Sequence, residues 1–383
     1  MTRIVAVRSA FPAYRYPQHD LTQAVASLAS RGAAGGTQGS GADGPGKGQR
    51  ALIERLHANA GVDTRHTVLP LAEYGTLGDA NGADGPGGTI NDRYIDEATA
   101  LGERALRAAL AESGLTAADL DLLIVTSVTG VAVPSLDARL IPRLGLRTDV
   151  RRLPVFGLGC VAGAAGMARM HDYLRGWPRH AAALLAVELC SLSWPRPSAA
   201  RATLTTADLV ASALFGDGAA ALVATGSRAR KGSAARAPRL PQIIATRSEV
   251  YPDSGDALGW RLEPGGFRIV LTAELGDVVE RRLSASVTGF LAGQGLTADD
   301  IGTWICHPGG PKVLDAATRA LKLPDAALAT SRRSLAEAGN LSSASVLHIL
   351  ELTVASHPQA PGSFGLLVGL GPGVSAELVL LRW

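Results

Sequence analysis

Cysteine is scarce in this chain: only Cys160, Cys190 and Cys306 occur among 383 residues. Three cysteines that are odd in number and far apart argue against a disulfide framework and predict a reducing compartment. None of them has the spacing to other ligands that a structural zinc site needs. We therefore expect a cytoplasmic location and no bound metal.

Long apolar runs and an excess of charge of one sign are also missing. No apolar run reaches the roughly 20 residues that a membrane helix needs, and the first residues have a strand pattern instead of a signal peptide. The formal net charge is +3, and no basic block is interleaved with aromatic residues. We therefore expect neither membrane insertion nor a nucleic-acid partner.

The composition is that of a globular protein with a large buried core, since 46% of the residues are hydrophobic and 19% are charged. Short apolar runs alternate with helical patterns, which predicts an α/β fold with buried strands. Two glycine-rich stretches, about residues 30–48 and 75–88, are predicted to be surface insertions. A basic Pro/Gly-containing stretch near residue 230 predicts a division into an N-terminal half, 1–230, and a C-terminal half, 231–383.

Cys160 lies in a glycine-rich turn that leads from an apolar run into a helical pattern. Glycines allow a sharp turn and a close approach to a ligand, and the free N–H groups of a helix start favour a thiolate. From this setting we expect a lowered thiol pKa and a nucleophilic role for Cys160. Cys190 and Cys306 have no flanking glycines and are expected to be buried structural cysteines.

Two further segments have the residues of an acyl-transfer site. His307 ends a strand-like run and is followed by Pro308-Gly309-Gly310, although a core histidine would also fit. Asn340 precedes a helical pattern, where an ordinary N-cap is the alternative. With Cys160 they form a Cys-His-Asn set. A papain-like protease uses the same set, but its local signature around the cysteine is absent here.

In combination these motifs resemble the type III polyketide synthases, the chalcone-synthase-like group of the thiolase superfamily. The resemblance covers nearly the whole chain, except for the two glycine-rich stretches. It implies a thiolase-like five-layered αβαβα fold with two similar halves, a homodimer, acyl-CoA and malonyl-CoA as substrates, and no cofactor. The motifs that carry it are Gly-Cys-x-Ala-Gly at 159–163, LFGDGAA at 214–220, HPGGP at 307–311, GNLSSA at 339–344 and GLGPG at 369–373.

The resemblance also implies roles for individual residues. Cys160 would be the acyl-accepting nucleophile, with His307 and Asn340 as its partners. The remaining residues are implied as substrate-binding positions: Phe215 and Phe267 as aromatic gatekeepers, Arg55 near the mouth of the coenzyme A tunnel, Val133 and Pro197 where plant chalcone synthases have an interface methionine and a cavity threonine, and Gly371, Pro372 and Gly373 in the terminal loop.

The product class is predicted from departures within that family. Tetrahydroxynaphthalene synthases are expected to have an extra cavity cysteine near position 128, where this chain has Val128. The segments 126–146 and 259–261 look more like bacterial enzymes that extend fatty acyl starters, so we predict an alkylpyrone or alkylresorcinol product. A β-ketoacyl-acyl-carrier-protein synthase III-like ketosynthase is the alternative, and a non-catalytic acyl-CoA-binding protein of the same fold is a more distant one.

Overall fold

The computed structural model of the protein describes residues 1–33, 45–75, 90–194, 204–229, 240–252, 254–255, 257–263, 266–272, 274–356 and 359–383. Within them the strands are β1 (Thr2–Ala10), β2 (Tyr14–Pro17), β3 (Thr64–Thr67), β4 (Leu122–Thr126), β5 (Arg151–Val155), β6 (Ala181–Leu189), β7 (Asp217–Gly226), β8 (Gln242–Val250), β9 (Leu258–Glu263), β10 (Gly266–Leu271), β11 (Ile301–Cys306), β12 (Phe364–Gly371) and β13 (Ser375–Arg382). The helices are α1 (Gln18–Ala33), α2 (Pro45–Ala58), α3 (Ile90–Ser113), α4 (Leu136–Leu144), α5 (Ala162–Gly176), α6 (Thr206–Leu214), α7 (Leu275–Ala292), α8 (Pro311–Ala320), α9 (Ala329–Ala338) and α10 (Ser345–Ser356).

Nine strands form one continuous sheet in the order β11-β12-β13-β8-β1-β7-β6-β4-β5. The first four strands come from the C-terminal part of the chain and the other five from the N-terminal part. The two groups meet where β1 and β8 pair through Thr2 with Ile243 and Arg3 with Gln242. Strands β6 and β7 are buried along their whole length, because their alanine-, leucine- and valine-rich runs face helices on both sides.

Helices α5 and α10 form the middle layer of the fold. Their apolar side chains pack in one core with residues from both groups of strands, such as Ile124 and Leu367. Helices α3 and α4 cover the outer face of the N-terminal strands, and α7 and α8 cover that of the C-terminal strands. Helices thus lie outside each of the two groups of strands and between them, which gives five layers along the continuous sheet and confirms the predicted five-layered α/β fold.

The glycine-rich stretch near residue 40 is shorter than the sequence predicts. Helix α1 continues to Ala33 and helix α2 begins at Pro45, so residues 30–33 and 45–48 are helical and not part of a loop. The rest of that insertion, most of the second one (76–89) and residues 230–239 at the predicted boundary lie outside the described residues. Within the described part of the chain, no helix is both long and apolar enough to cross a membrane.

Candidate active site

One narrow cavity brings together the three residues that the sequence predicts to act together. Cys160, His307 and Asn340 all contribute to its wall, although they follow strands and helices from different parts of the chain. Its free volume is about 20 Å³, which leaves room for little more than a water molecule. The other residues of the wall are mostly apolar: Leu214, Phe215, Leu258, Ile269, Leu271, Leu275, Gly309, Val313, Leu370, Gly371 and Val374.

The turn that carries Cys160 is built by close backbone packing. Gly159 has a φ of +54°, and a Cβ atom there would lie 2.5 Å from Cγ of Pro372. A Cβ atom on Gly371 would lie 2.8 Å from the backbone nitrogen of Val161. Only glycine fits at both positions, so the terminal loop of the chain packs directly against the turn that presents the thiol.

The thiol of Cys160 is buried and donates a hydrogen bond of 3.5 Å to Oγ of Ser342. Burial raises the pKa of Cys160 to about 12, against the opposing effect of the Ser342 hydrogen bond and with a smaller further rise from Glu188. The lowered pKa that the sequence predicts is therefore wrong for this conformation. Desolvation of the thiolate outweighs the favourable effect of the helix start.

His307 directly follows β11 and is 2% exposed. Its backbone N–H donates to the carbonyl of Val368 at 2.9 Å, which continues the pairing of β11 with β12 by one residue. Nδ1 is buried and has no hydrogen-bond partner among the described residues. Burial lowers the pKa of His307 to about 3, so the imidazole is neutral near pH 7.

Asn340 is held by its backbone and by one side of its amide. Its N–H donates to the carbonyl of Leu214 at 2.8 Å, and its carbonyl accepts from the N–H of Gly216 at 3.1 Å. The side-chain Oδ1 accepts from the backbone N–H of Ser342 at 2.8 Å and from Oγ of Ser345 at 3.4 Å. The side chain thus caps the following turn, and its NH₂ group remains as a donor for the cavity.

The predicted substrate-binding residues divide into three groups. Phe215 and Gly371 line the cavity, and Pro372 and Gly373 continue the same loop. Val133 is 88% exposed and Arg55 is exposed on α2, and neither lines this cavity. Phe267 lies in β10 opposite Leu262, but its side chain and all of Pro197 fall outside the described residues.

Glu188 is a residue of this region that the sequence analysis does not identify. It is fully buried in β6, and its Oε2 accepts hydrogen bonds from Val128 N at 3.0 Å and from Thr129 Oγ1 at 2.9 Å. Its Oε1 accepts from Oγ of Ser343. Burial raises the pKa of Glu188 to about 7. The sequence feature that could have identified Glu188 is its position as the single acidic residue in an otherwise apolar strand.

Arg65 is the second residue that was missed. It is fully buried in β3, in a short segment whose sequence shows no motif.

Within the described residues, no three His, Cys, Asp or Glu side chains come together as a metal site.

Comparison with known families identifies the chain along most of its length. Residues 48–228 match the family model of the N-terminal domain of chalcone and stilbene synthases. Residues 242–383 match the model of the C-terminal domain of the same enzymes. The two matched ranges lie on either side of residues 229–241, which contain the basic stretch, and they include the whole cavity wall.

Curated relatives and solved structures agree with this assignment. A 1,3,6,8-tetrahydroxynaphthalene synthase of Streptomyces peucetius subsp. caesius is 52% identical over 382 residues, which is 100% of this chain and 93% of the relative. The enzyme of that name from Streptomyces coelicolor is 34% identical over 88% of this chain and 84% of the relative. The crystal structure of the bacterial type III polyketide synthase 1,3,6,8-tetrahydroxynaphthalene synthase from S. coelicolor A3(2) superposes with a TM-score of 0.84 at 30% identity, covering 100% of this chain and 99% of that chain.

Proposed function

Because this chain belongs to the chalcone and stilbene synthase family, the type III polyketide synthases, we propose that it condenses malonyl-CoA on Cys160 and cyclises the product to a polyhydroxynaphthalene. As a member of this family it is an acyltransferase, not merely an acyl-CoA-binding protein. The observation that carries the choice of product is the 52% identity, over the whole chain, to an enzyme named for 1,3,6,8-tetrahydroxynaphthalene.

Loading of the starter begins with Cys160 and His307. Both groups are neutral in this conformation, so attack requires that the imidazole accept the thiol proton as Sγ bonds to the thioester carbon. The C–S bond to coenzyme A then breaks, and the departing thiolate takes that proton from the imidazole. The acyl group stays on Cys160, and His307 returns to its neutral form.

Extension depends on Asn340 and His307. Loss of CO₂ from malonyl-CoA breaks a C–C bond and leaves its electron pair on an enolate. In this proposal the NH₂ group of Asn340 and an N–H of His307 donate to the enolate oxygen, which is supported by their common position in the cavity wall. The enolate carbon attacks the acyl carbon on Cys160, a new C–C bond forms, and Sγ leaves as a thiolate that accepts the extended chain in the next round.

The stoichiometry of the proposed product is balanced by malonyl-CoA alone. Five malonyl units supply the ten carbons of the naphthalene after each has lost CO₂. One tetrahydroxynaphthalene, five CO₂, five coenzyme A and one water then account for every atom. No other co-substrate or redox cofactor is needed for this reaction.

A fatty acyl starter is the second candidate, and two observations favour it. The cavity wall is rich in leucine and other apolar side chains, which match the chemistry of an alkyl chain, although the free volume of about 20 Å³ does not accommodate one in this conformation. Val128 occupies the position near which the family resemblance predicts the additional cysteine of a tetrahydroxynaphthalene synthase. It is buried, and its backbone N–H donates to the carboxylate of Glu188. The relatives reported above are named for an aromatic product, so the alkylpyrone or alkylresorcinol remains a prediction.

The two candidates are separated by incubating purified protein with malonyl-CoA alone and with malonyl-CoA plus fatty acyl-CoA of graded length. We expect malonyl-CoA alone to give equal amounts of CO₂ and coenzyme A and a product with the mass of tetrahydroxynaphthalene. Products that form only with a fatty acyl-CoA would establish the second candidate instead. A strong preference for malonate on an acyl carrier protein would favour the ketosynthase alternative. Cys160→Ala is the control for thiol-dependent turnover.

The protein is further proposed to be a homodimer. Among the nine large apolar side chains that are exposed in the described part of the chain, five lie between residues 131 and 158. Strand β5 is the last strand of the sheet and is mostly exposed, and β4 runs parallel to it, so the loops that follow the two strands share one edge. An exposed apolar surface of this kind is typical of a subunit interface. The cytoplasmic location remains a prediction from the cysteine content.

A further inference from the structure

Arg65 is the largest side chain of the described residues that is completely buried. Its Nη1 donates to the backbone carbonyl of Phe215 at 2.6 Å, and its Nε donates to Oε1 of Gln18 at 3.1 Å. The guanidinium carbon lies 5.6 Å from the centre of the Trp194 ring. Arg65 does not line the cavity, so its contacts with the site pass through the backbone of Phe215.

The carbonyl that Arg65 holds belongs to the junction of two segments of the cavity wall. Phe215 and Asn340 form a parallel β-bridge, which is closed by the two backbone hydrogen bonds of Asn340 to Leu214 and Gly216. Each segment therefore fixes the position of the other. A shift of the Phe215 backbone would move the amide of Asn340 with it.

The aliphatic part of Arg65 packs against the same junction. A Cβ atom on Gly339 would lie 2.8 Å from Cδ of Arg65 and 2.7 Å from the carbonyl oxygen of Leu214. Gly339 has a φ of +73°, so the chain turns tightly around the arginine just before Asn340. The side chain of Arg65 and the backbone of Leu214 thus leave no space for a Cβ atom at Gly339.

A buried cation is a costly way to fill this space. Nη2 of Arg65 is buried and makes no hydrogen bond to the described residues. Burial lowers the pKa of Arg65 to about 9, against the opposing attraction of Asp217. Replacement of a whole buried ion pair by apolar residues is often neutral or stabilising, so stability alone is a weak reason for an arginine here.

We propose that Arg65 is a positioning residue for chain extension: by holding the Phe215 carbonyl and packing on Gly339, it fixes the bridge that aims the Asn340 amide at the enolate oxygen. The proposal rests on the proposed function, because it assumes that Asn340 stabilises that enolate. Loading of Cys160 is expected to depend less on this bridge, since the bridge reaches the thiol only through Ser342, which Asn340 holds at its backbone N–H and whose hydroxyl contacts Sγ. The turn of Cys160 is held instead by the terminal loop at Pro372.

The two half-reactions are measured separately in Arg65→Met and Arg65→Lys. In a Cys160→Ala background, decarboxylation of malonyl-CoA takes up one proton and yields acetyl-CoA and CO₂, with no acyl transfer. In proteins that retain Cys160, loading from a labelled acyl-CoA is followed as the mass increase of the protein. Arg247→Lys is the matched control, because Arg247 also donates to backbone carbonyls, those of Ser286 and Gly289, but lies away from the cavity.

We expect Arg65→Met to lower the decarboxylation rate by about tenfold to 100-fold, the range that a small misplacement of a catalytic group produces. Loading should change by less than about threefold, Arg65→Lys should be intermediate in decarboxylation, and Arg247→Lys should leave both rates at the level of the parent protein. Parallel loss of both half-reactions, or loss of a cooperative melting transition in both Arg65 variants, would show a merely structural role and overturn the proposal.

Failure of the proposed function has a different signature. If the Cys160→Ala protein with Arg65 intact releases no acetyl-CoA from malonyl-CoA, the proposed function is wrong and the role of Arg65 falls with it. If that protein releases acetyl-CoA and the Arg65 variants do so at the same rate, only the positioning role is overturned.

Discussion

The hydroxyl of Ser343 donates a hydrogen bond to Oε1 of Glu188, which lies 155 residues earlier in the chain. This contact joins the segment of Asn340 to strand β6. The other carboxylate oxygen accepts from the residues that follow β4, including Thr129. Glu188 therefore connects three segments around the cavity, and it does so without exposure to solvent.

Glu188→Gln is expected to change how stability depends on pH. Burial raises the pKa of Glu188 from 4.5 to about 7 in the folded protein, so folding favours the protonated carboxyl. The stability from this group is full below pH 4.5 and is lost as the pH rises to about 7, by on the order of 3 kcal/mol. The melting temperature of the wild type relative to that of the variant should therefore fall between pH 5 and 8, because the other titrating groups contribute equally to both proteins.

The control for Glu188→Gln is the same substitution at a glutamate whose carboxyl is exposed in the folded protein. Glu54 lies on the surface of α2, so Glu54→Gln should retain the pH dependence of the wild type. Identical profiles for the wild type and Glu188→Gln would mean that the pKa of Glu188 is the same in the folded and the unfolded protein, and the assigned pKa shift would be wrong.

Ser342→Ala is expected to make Cys160 less reactive. The Ser342 hydroxyl is 3.5 Å from Sγ and can donate to the thiolate once the thiol ionises, which lowers the thiol pKa against the larger effect of burial. Its removal raises the pKa and reduces the thiolate at a given pH, by about twofold to tenfold for one hydrogen bond. The rate of alkylation by iodoacetamide, followed by mass spectrometry at pH 8, measures this change.

Ser342→Gly separates the hydroxyl from the backbone. Ser342 has a φ of +50°, a conformation that glycine adopts without strain. Both variants should be alkylated equally slowly, but Ser342→Gly should be more stable than Ser342→Ala by about 1 kcal/mol. Alkylation of either variant at the wild-type rate would rule out a contribution of this hydroxyl to the thiol pKa.

The local motifs predict the catalytic set because each one combines a reactive side chain with its own backbone turn. Cys160, His307 and Asn340 are predicted in this way, and the structure places all three on one cavity, while their catalytic roles stay predictions. The pKa of Cys160 could not be predicted, because burial by the terminal loop is a property of the folded chain. Arg65 and Glu188 act through partners more than 45 residues away in sequence, and no local pattern reveals such contacts.

The sequence predicts the fold class better than it predicts where individual strands and helices begin and end. Buried strands such as β11, over Ile301–Cys306, follow directly from their apolar runs. The hairpin of β9 and β10 was missed, since its residues mix charged, glycine and aromatic positions without a period of two. Helix α2 was missed at its start because glycines near residue 45 favour a loop by local preference, and helical packing against α1 overrides that preference.

Gly159→Ala is expected to disable loading of Cys160, whereas Gly157→Ala should not. Both glycines have positive φ, +54° and +90°, so alanine costs about 1 kcal/mol of backbone strain at either position. Only the Cβ at residue 159 collides with Pro372, at 2.5 Å, while that at residue 157 has nothing within 4 Å. We expect loading to fall at least about tenfold in Gly159→Ala and to stay within about twofold in Gly157→Ala.

Acyl transfer to the protein, measured as its mass increase with time, distinguishes the two variants. Melting temperatures show whether both remain folded at the assay temperature. Equal loading by the two variants would mean that Pro372 moves aside without disturbing Sγ, and the terminal loop would then have no part in presenting the thiol.

Val133→Asp is expected to weaken the proposed homodimer. Val133 is 88% exposed. Two residues earlier, the backbone N–H of Val131 donates to Oδ1 of Asn91, and its carbonyl accepts from Nδ2 of Asn91. These two hydrogen bonds hold the loop in place while Val133 faces outward. A charge at the centre of an apolar interface loses its hydration on association. Light scattering after size-exclusion chromatography should show more monomer at micromolar protein.

Val250→Asp is the matched control, because Val250 is also an exposed valine, at 70%, but lies at the end of β8, outside the 131–158 surface. It should leave the mass of the particle at that of the wild type. If both variants stay dimeric, the interface lies elsewhere. If the wild type itself is a monomer at these concentrations, the homodimer is wrong, and the exposed side chains between residues 131 and 158 need another explanation.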